Sequence, residues 1–125
     1  MRRWYRPGYL ALGDAAHAMS PVGGIGINVA IQDAVVAANL LWAPLLRGEI
    51  STRDLARVQR HRTLTVRVMQ RIQTAIQNQI LRPALTNGRS PGARLLLAAP
   101  GRRLLARLIT YGLVRPRVRA PARAA

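Results

Sequence analysis

The chain has no cysteine, no lysine and only four acidic residues among its 125. The first absence excludes disulfides, thiol redox chemistry and cysteine metal sites. Four acids with two histidines, His17 and His61, are too few for a convincing metal centre, so no metal is expected. Two tryptophans and three tyrosines do not interleave with the basic residues, which leaves a stacking platform for nucleic-acid bases unsupported. No uninterrupted apolar run approaches the ~18 residues of a membrane span, so no transmembrane segment is expected. The apolar stretch from Tyr9 to Leu12 is likewise too short for the core of a signal peptide. The chain is expected to be cytoplasmic.

What is present is strongly basic. The net charge is +16 and every basic residue is Arg. Such a balance ordinarily points to nucleic acid or an anionic membrane. Here the arginines are scattered through the second half, and only Arg2-Arg3 and Arg102-Arg103 are adjacent. Scattered charge suits a piece of a larger, better balanced protein, and nucleic acid is the less favoured partner. A basic, Arg-rich binding protein that contacts nucleic acid or an anionic membrane stands as the alternative reading.

A chain of this length makes one modest domain at most. Arg2 to Gly8 is polar and turn-rich; Tyr9 to Leu12 reads as one short buried strand. Asp14 to Ile27 reads as a loop carrying Pro21, Gly23, Gly24 and Gly26. A helix is expected from Asn28, its N-cap, to Ala43, buried on most sides and ended or kinked by Pro44. Ser51 and Asp54 form a capping-box-like start to a long amphipathic helix. Leu55, Val58, Thr65, Met69, Ile72, Ile76 and Ile80 mark its apolar side, with Arg53, Arg57, Arg60, Arg67 and Arg71 opposite. Pro83 and Asn87-Gly88 are expected to stop it. Two shorter helices are expected near 93–99 and 102–111, and a disordered tail from Arg115. The divisions are therefore 1–48, 49–114 and 115–125. A lone strand cannot form a sheet, so its partners are expected elsewhere in a larger protein. A long helix of this kind could also serve as a partner surface, the least favoured use, since such helices are more often core.

The segment Gly13 to Ala34, GDAAHAMSPVGGIGINVAIQDA, carries the chemistry. Asp14 follows the strand, where ligands bind in open α/β sheets, and its carboxylate can accept hydrogen bonds from sugar-like hydroxyls. It could equally cap the loop by bonding nearby N–H groups. The glycines let backbone approach a ligand, and the helix start behind them presents unpaired N–H groups that favour negative charge. They could equally serve close helix–strand packing. The string is not the dinucleotide fingerprint, because Val29 stands at the third glycine position and no acid follows at the required distance.

Together, GDAAH, Pro21, GGIGIN and Asp33-Ala34 resemble the second FAD-binding motif of the flavin-dependent aromatic hydroxylases, the para-hydroxybenzoate hydroxylase family. The Arg- and Gln-rich long helix and the ending GLVRPRVR are similar to the C-terminal region of bacterial members. The resemblance implies a mostly α fragment of an α/β, Rossmann-like FAD-binding fold. It implies that Asp14 binds the ribityl chain of FAD and that Pro21 sits beside the flavin on the substrate side. Gly24 belongs to the same cofactor-binding loop, while Gly26, Ile27 and Asn28 present backbone to the pyrimidine end of the ring. His17 would help to hold the loop as a structural histidine. The family activates oxygen at flavin C4a with NAD(P)H as electron source and hydroxylates a small organic, typically aromatic, substrate. The family's strand–GxGxxG–helix unit, its central Asp-Gly pair and its substrate-covering sheet are absent here. No catalytic residue is evident. The expectation is a C-terminal piece of a flavoprotein, inactive alone, whose partner is the missing N-terminal part.

Overall fold

In a computed structural model of the chain, residues 1–21, 24–87, 99–111, 114 and 116–119 are described. The architecture is mostly helical with one small two-stranded sheet. Strand β1 (Tyr5–Arg6) pairs antiparallel with β2 (Tyr9–Leu10), placing Tyr5 opposite Leu10 and Arg6 opposite Tyr9. Pro7 and Gly8 make the turn: proline fixes its own φ, and Gly8 takes a φ of +70° that side chains resist. Ala11 N–H extends the ladder by donating to Trp4 carbonyl at 2.7 Å. The segment before Gly8, expected to be only polar and turn-rich, therefore supplies a partner for the strand within the chain itself. Its polar composition hid Trp4, which is buried, and Gln59, whose side chain bonds both Trp4 N–H (3.0 Å) and Arg2 carbonyl (2.9 Å) from the long helix.

Helix α1 (Ile25–Leu46) begins three residues before the expected Asn28. Gly24, with φ +66°, is the residue that turns the chain into the helix, so Asn28 is not the cap. The earlier start buries Ile25 and Val29. Nor does Pro44 end α1. It lies in the last turn, where its missing N–H costs one helical bond. Gly48, at φ +67°, then reverses the chain, with Glu49 N–H on Pro44 carbonyl at 3.0 Å.

Helix α2 (Thr52–Ile76) starts with the expected capping box: Asp54 N–H donates to Ser51 Oγ (3.3 Å), and Ser51 N–H donates to Asp54 Oδ2 (3.1 Å). Its apolar side, Leu55, Val58, Thr65 and Met69, is buried, so this face is core and not a free partner surface. The five arginines named above are exposed. The helical path continues through a widened turn, Gln77–Leu81, into α3 (Arg82–Asn87), so Pro83 does not stop it. A proline ring crowds the carbonyl four residues earlier, here Gln79, and a turn wound one residue wider relieves that conflict.

Helix α4 (Ala99–Tyr111) covers the last expected helix, three residues longer at its start. The helix expected near 93–99 lies outside the described residues except for Ala99. Of the segment expected to be disordered, residues 116–119 are described, and Asn39 of α1 bonds the carbonyl of Arg117 (2.8 Å) and the N–H of Arg119 (3.0 Å).

Two apolar clusters hold the elements together. Trp4, Ala11, Ala16, Ile25, Val29, Val66 and Met69 pack beneath the glycine loop. Val36, Ala37, Leu41, Leu55 and Val58 join α1 to α2. By length and hydropathy α1 could cross a membrane, which the count of uninterrupted apolar residues did not anticipate. Gln32 and Asp33 break the run and are buried toward α2 beside Val29, Val36 and Leu41, so one face of α1 is core. Ile27, Ile31, Trp42 and Leu45 are exposed, so the expectation of a helix buried on most sides is not met.

Candidate flavin site

The loop after β2 folds into a short 3-10 turn, Gly13–Ala15, and brings Asp14 back toward the start of α1. Gly13 has a φ of +57°, and a Cβ there would lie 2.9 Å from Ala30 Cβ, so only glycine fits. Farther along, Ser20 is clamped to α2: Gln73 Oε1 accepts from Ser20 N–H at 3.3 Å, while Gln73 Nε2 donates to Ser20 carbonyl at 2.5 Å. Gly24 N–H closes the last loop bond, to Pro21 carbonyl at 3.2 Å.

The result is a cavity of about 200 Å³ lined by Asp14, Met19, Ser20, Pro21, Gly24, Gly26 and Ile27. Five of the six expected cofactor residues meet there. Asn28 does not line it, having moved into the first turn of the helix. Asp14 is exposed and has no hydrogen-bond partner among the described residues, so it does not act as a loop cap. Among the described residues no side chain caps the start of α1; its first N–H groups, up to that of Ile27, have no intrahelical acceptor, and Gly26 and Ile27 line the cavity. A Cβ on Gly26 would point toward Asp14 Oδ1, 3.7 Å away, and toward Met19 Cβ at 3.5 Å. The missing side chain is what keeps the space between carboxylate and helix start open. Carboxylate acceptor on one side and N–H donors on the other suit a ligand with hydroxyls beside an electron-rich, partly negative edge. Larger cavities of about 560, 510 and 470 Å³ lie elsewhere, and none is lined by any of the six expected cofactor residues.

Behind the cavity lies a buried polar junction that reading the sequence did not find. Asp33 is fully buried and receives three donors: His17 Nε2–H (2.5 Å), Arg62 Nε–H (2.6 Å) and Gly13 N–H (3.1 Å). Burial pushes its carboxyl pKa up, but the hydrogen bonds from His17, Arg62 and Gly13 outweigh that and hold it below the ordinary value. Arg62 also donates to Gln32 Oε1 (3.2 Å), and Gln32 donates to Tyr111 carbonyl (3.0 Å), so α1, α2, α4 and the loop share one network. His17 is a structural histidine holding the loop, its ring tilted at 50° to that of Trp4 with centroids 4.9 Å apart; its Nδ1 is buried without a partner among the described residues. One signal could have exposed Arg62. It occupies the gap between Val58 and Thr65 in the apolar series of α2, a position where a charge must be paired.

Residues 1–73 match the family model described as FAD binding domain. The chain belongs to that family, and its cofactor is FAD. Over 121 residues it is 38% identical to the 6-methylpretetramide 4-monooxygenase of Streptomyces rimosus, which covers 95% of this chain but 29% of the relative. No solved structure matches the chain. The cavity fits part of the cofactor: about 200 Å³ is below the 300–1,000 Å³ that drug-sized ligands occupy, so it would take one segment of a dinucleotide.

Proposed function

We propose that this chain supplies the ribityl and pyrimidine side of the FAD site in a flavin-dependent monooxygenase of the aromatic hydroxylase type. The observation that carries the reading is the convergence of Asp14, Pro21, Gly24, Gly26 and Ile27 on one cavity at a helix start that no side chain caps among the described residues. In this reading Asp14 accepts hydrogen bonds from the ribityl hydroxyls. The first N–H groups of α1, around Gly26 and Ile27, orient the pyrimidine edge and favour negative charge there; Asn28, expected among them, lies one residue too far along the helix. Pro21 stands on the side from which substrate approaches. Bound flavin supplies electron transfer and oxygen activation; electrons would come from NAD(P)H and the acceptor would be a small organic, aromatic substrate. The fold is then the carboxyl-terminal portion of a Rossmann-like flavin domain; the chain spans 29% of the length of the Streptomyces enzyme. Hydroxylation would require the rest of that protein.

An FAD titration of the chain followed by flavin fluorescence tests the reading. Saturable one-to-one binding is expected. Gly26→Ala sharpens the test: its Cβ meets only ordinary contacts and helix propensity favours alanine by up to about 1 kcal/mol. The variant should be at least as stable as the parent and bind FAD more weakly, because the methyl projects toward Asp14. Unchanged FAD affinity in Gly26→Ala would place the flavin elsewhere.

A further inference from the structure

The cavity of about 560 Å³ falls in the size range that holds small ligands, and Arg2, His17, Gln59, Thr63, Arg67 and Gln70 are among the residues lining it. Two of these side chains are already committed. Gln59 bonds the backbone of Trp4 and Arg2, and the Thr63 hydroxyl donates to Gln59 carbonyl at 2.7 Å. Arg2 and Arg67 are exposed and make no ion pair among the described residues. No acid among the described residues lines the cavity, so its positive charge is not balanced from within.

His17 adds a second demand. Its side chain is 4% exposed, and Nε2 lies 2.5 Å from Asp33 Oδ2, on a carboxylate that also pairs with Arg62 at 2.6 Å. A carboxylate in an ion pair has no hydrogen to give, so Nε2 carries it, and the neutral ring keeps a lone pair on Nδ1. That atom is buried and meets no donor among the described residues. A buried acceptor without a donor weakens the fold. Water could satisfy the lone pair but would leave the guanidiniums without a counter-charge. A bare anion would pair with the guanidiniums but bring only further lone pairs to Nδ1.

We propose that this cavity binds a small oxyanion that carries its own hydroxyl group. Arg2 and Arg67 hold the oxyanion, whose shape the guanidinium fork matches, and the hydroxyl donates to His17 Nδ1. A short hydroxy acid and hydrogen phosphate share that chemistry. The cavity has no lining residue in common with the one at Asp14, so the site stands apart from the flavin.

The test is calorimetric titration of the full chain at neutral pH and low ionic strength, where screening is weak. Two matched pairs of probes are used. Malate has a hydroxyl that succinate lacks, and phosphate keeps an O–H at neutral pH that sulfate does not. In one pair the hydroxyl-bearing member should bind about tenfold or more tightly, because its partner leaves the buried acceptor unmet. Preference within the first pair assigns the site to hydroxy acids, and within the second to phosphate. The chain has only two histidines, so His61→Gln identifies the nitrogen-15 resonances of His17. Its Nδ1 signal should move with the preferred probe and stay in place with the other, which a purely structural histidine would not do. Arg67→Gln, at an exposed position, should weaken binding about tenfold and keep the preference. His17→Gln retains a donor for Asp33 without Nδ1 and should abolish the preference; if that variant does not fold, the resonance and Arg67→Gln decide. No binding of any probe, equal affinity within both pairs, or an Nδ1 signal indifferent to the preferred probe overturns the proposal. Displacement of the preferred probe by FAD also overturns it and gives the cavity to the flavin.

Discussion

Two carboxylates on either side of the same loop have opposite surroundings. Asp14 is exposed, with no hydrogen-bond partner among the described residues; Asp33 is wholly buried and takes donors from a histidine, an arginine and a backbone amide. The two are linked, because the amide that Asp33 holds is Gly13, the residue next to Asp14. One acid is committed to folding and, through Gly13, fixes where the other stands. The difference separates a group that can meet a ligand from one that cannot, although both belong to the same run of sequence.

The largest expected effect breaks the buried member. Arg62→Met removes the guanidinium from a carboxylate that has no access to water, and breaking a buried ion pair in this way costs about 3–5 kcal/mol. Urea denaturation followed by circular dichroism measures the loss. Replacing both partners with apolar residues, Asp33→Leu with Arg62→Met, should cost less than the single change, because no uncompensated charge is left. Acid probes the same junction. Asp33 has a folded-state pKa below the ordinary 3.8, so its contribution is complete above that value and is lost as pH falls through the lower, folded one. Stability should therefore fall as the pH is lowered below the ordinary 3.8, and the fall should shrink in Asp33→Asn. The slope that survives belongs in part to Asp54, whose carboxyl the Ser51 hydrogen bonds also lower.

Next in size is the hinge between the two acids. Gly13→Ala places a Cβ 2.9 Å from Ala30 Cβ and forces alanine to a φ of +57°. Left-handed strain of about 1–2 kcal/mol and overpacking of about 1–3 kcal/mol put the cost at about 2–5 kcal/mol. Thermal unfolding would show it. If Asp14 is held in place through Gly13, FAD affinity should fall in the same variant even at temperatures where it remains folded.

How far these features could be read from the sequence follows the range of the interactions. The capping box at Ser51, the apolar series of α2 and the loop residues around Asp14 depend on neighbours a few positions away; the structure forms the first, buries Leu55, Val58, Thr65 and Met69 of the second, and brings five of the six loop residues to one cavity. The hairpin was missed because its first strand is two residues long and its key contacts, Trp4 and Arg2 with Gln59, are made across the fold. The start of α1 was missed because Asn28 offers a familiar cap, while Gly24 achieves the same end by backbone conformation alone. The Asp33–Arg62 pair joins residues from different helices, and no local pattern reports it. It was visible only as a charge in the middle of an apolar series. Pro44, expected to end or kink α1, does not end it because it falls in the last turn, and Pro83, expected to stop α2, follows a widened turn that accommodates it.

The smallest expected change in stability is the most telling one for function. Asp14→Ala removes a carboxylate that makes no hydrogen bond among the described residues and lies in solvent, so the free energy of unfolding should move by no more than about 0.5 kcal/mol. The same substitution removes the acceptor proposed for the ribityl hydroxyls, where hydrogen bonds to a charged group are worth about 1.5–3 kcal/mol, so FAD affinity should fall by about tenfold or more. Parallel urea and FAD titrations on one preparation decide the matter. Stability lost together with affinity would make Asp14 a second structural acid and remove the contrast with Asp33. Stability retained while affinity falls would mark Asp14 as a residue kept for its ligand, because the fold itself makes no use of the charge.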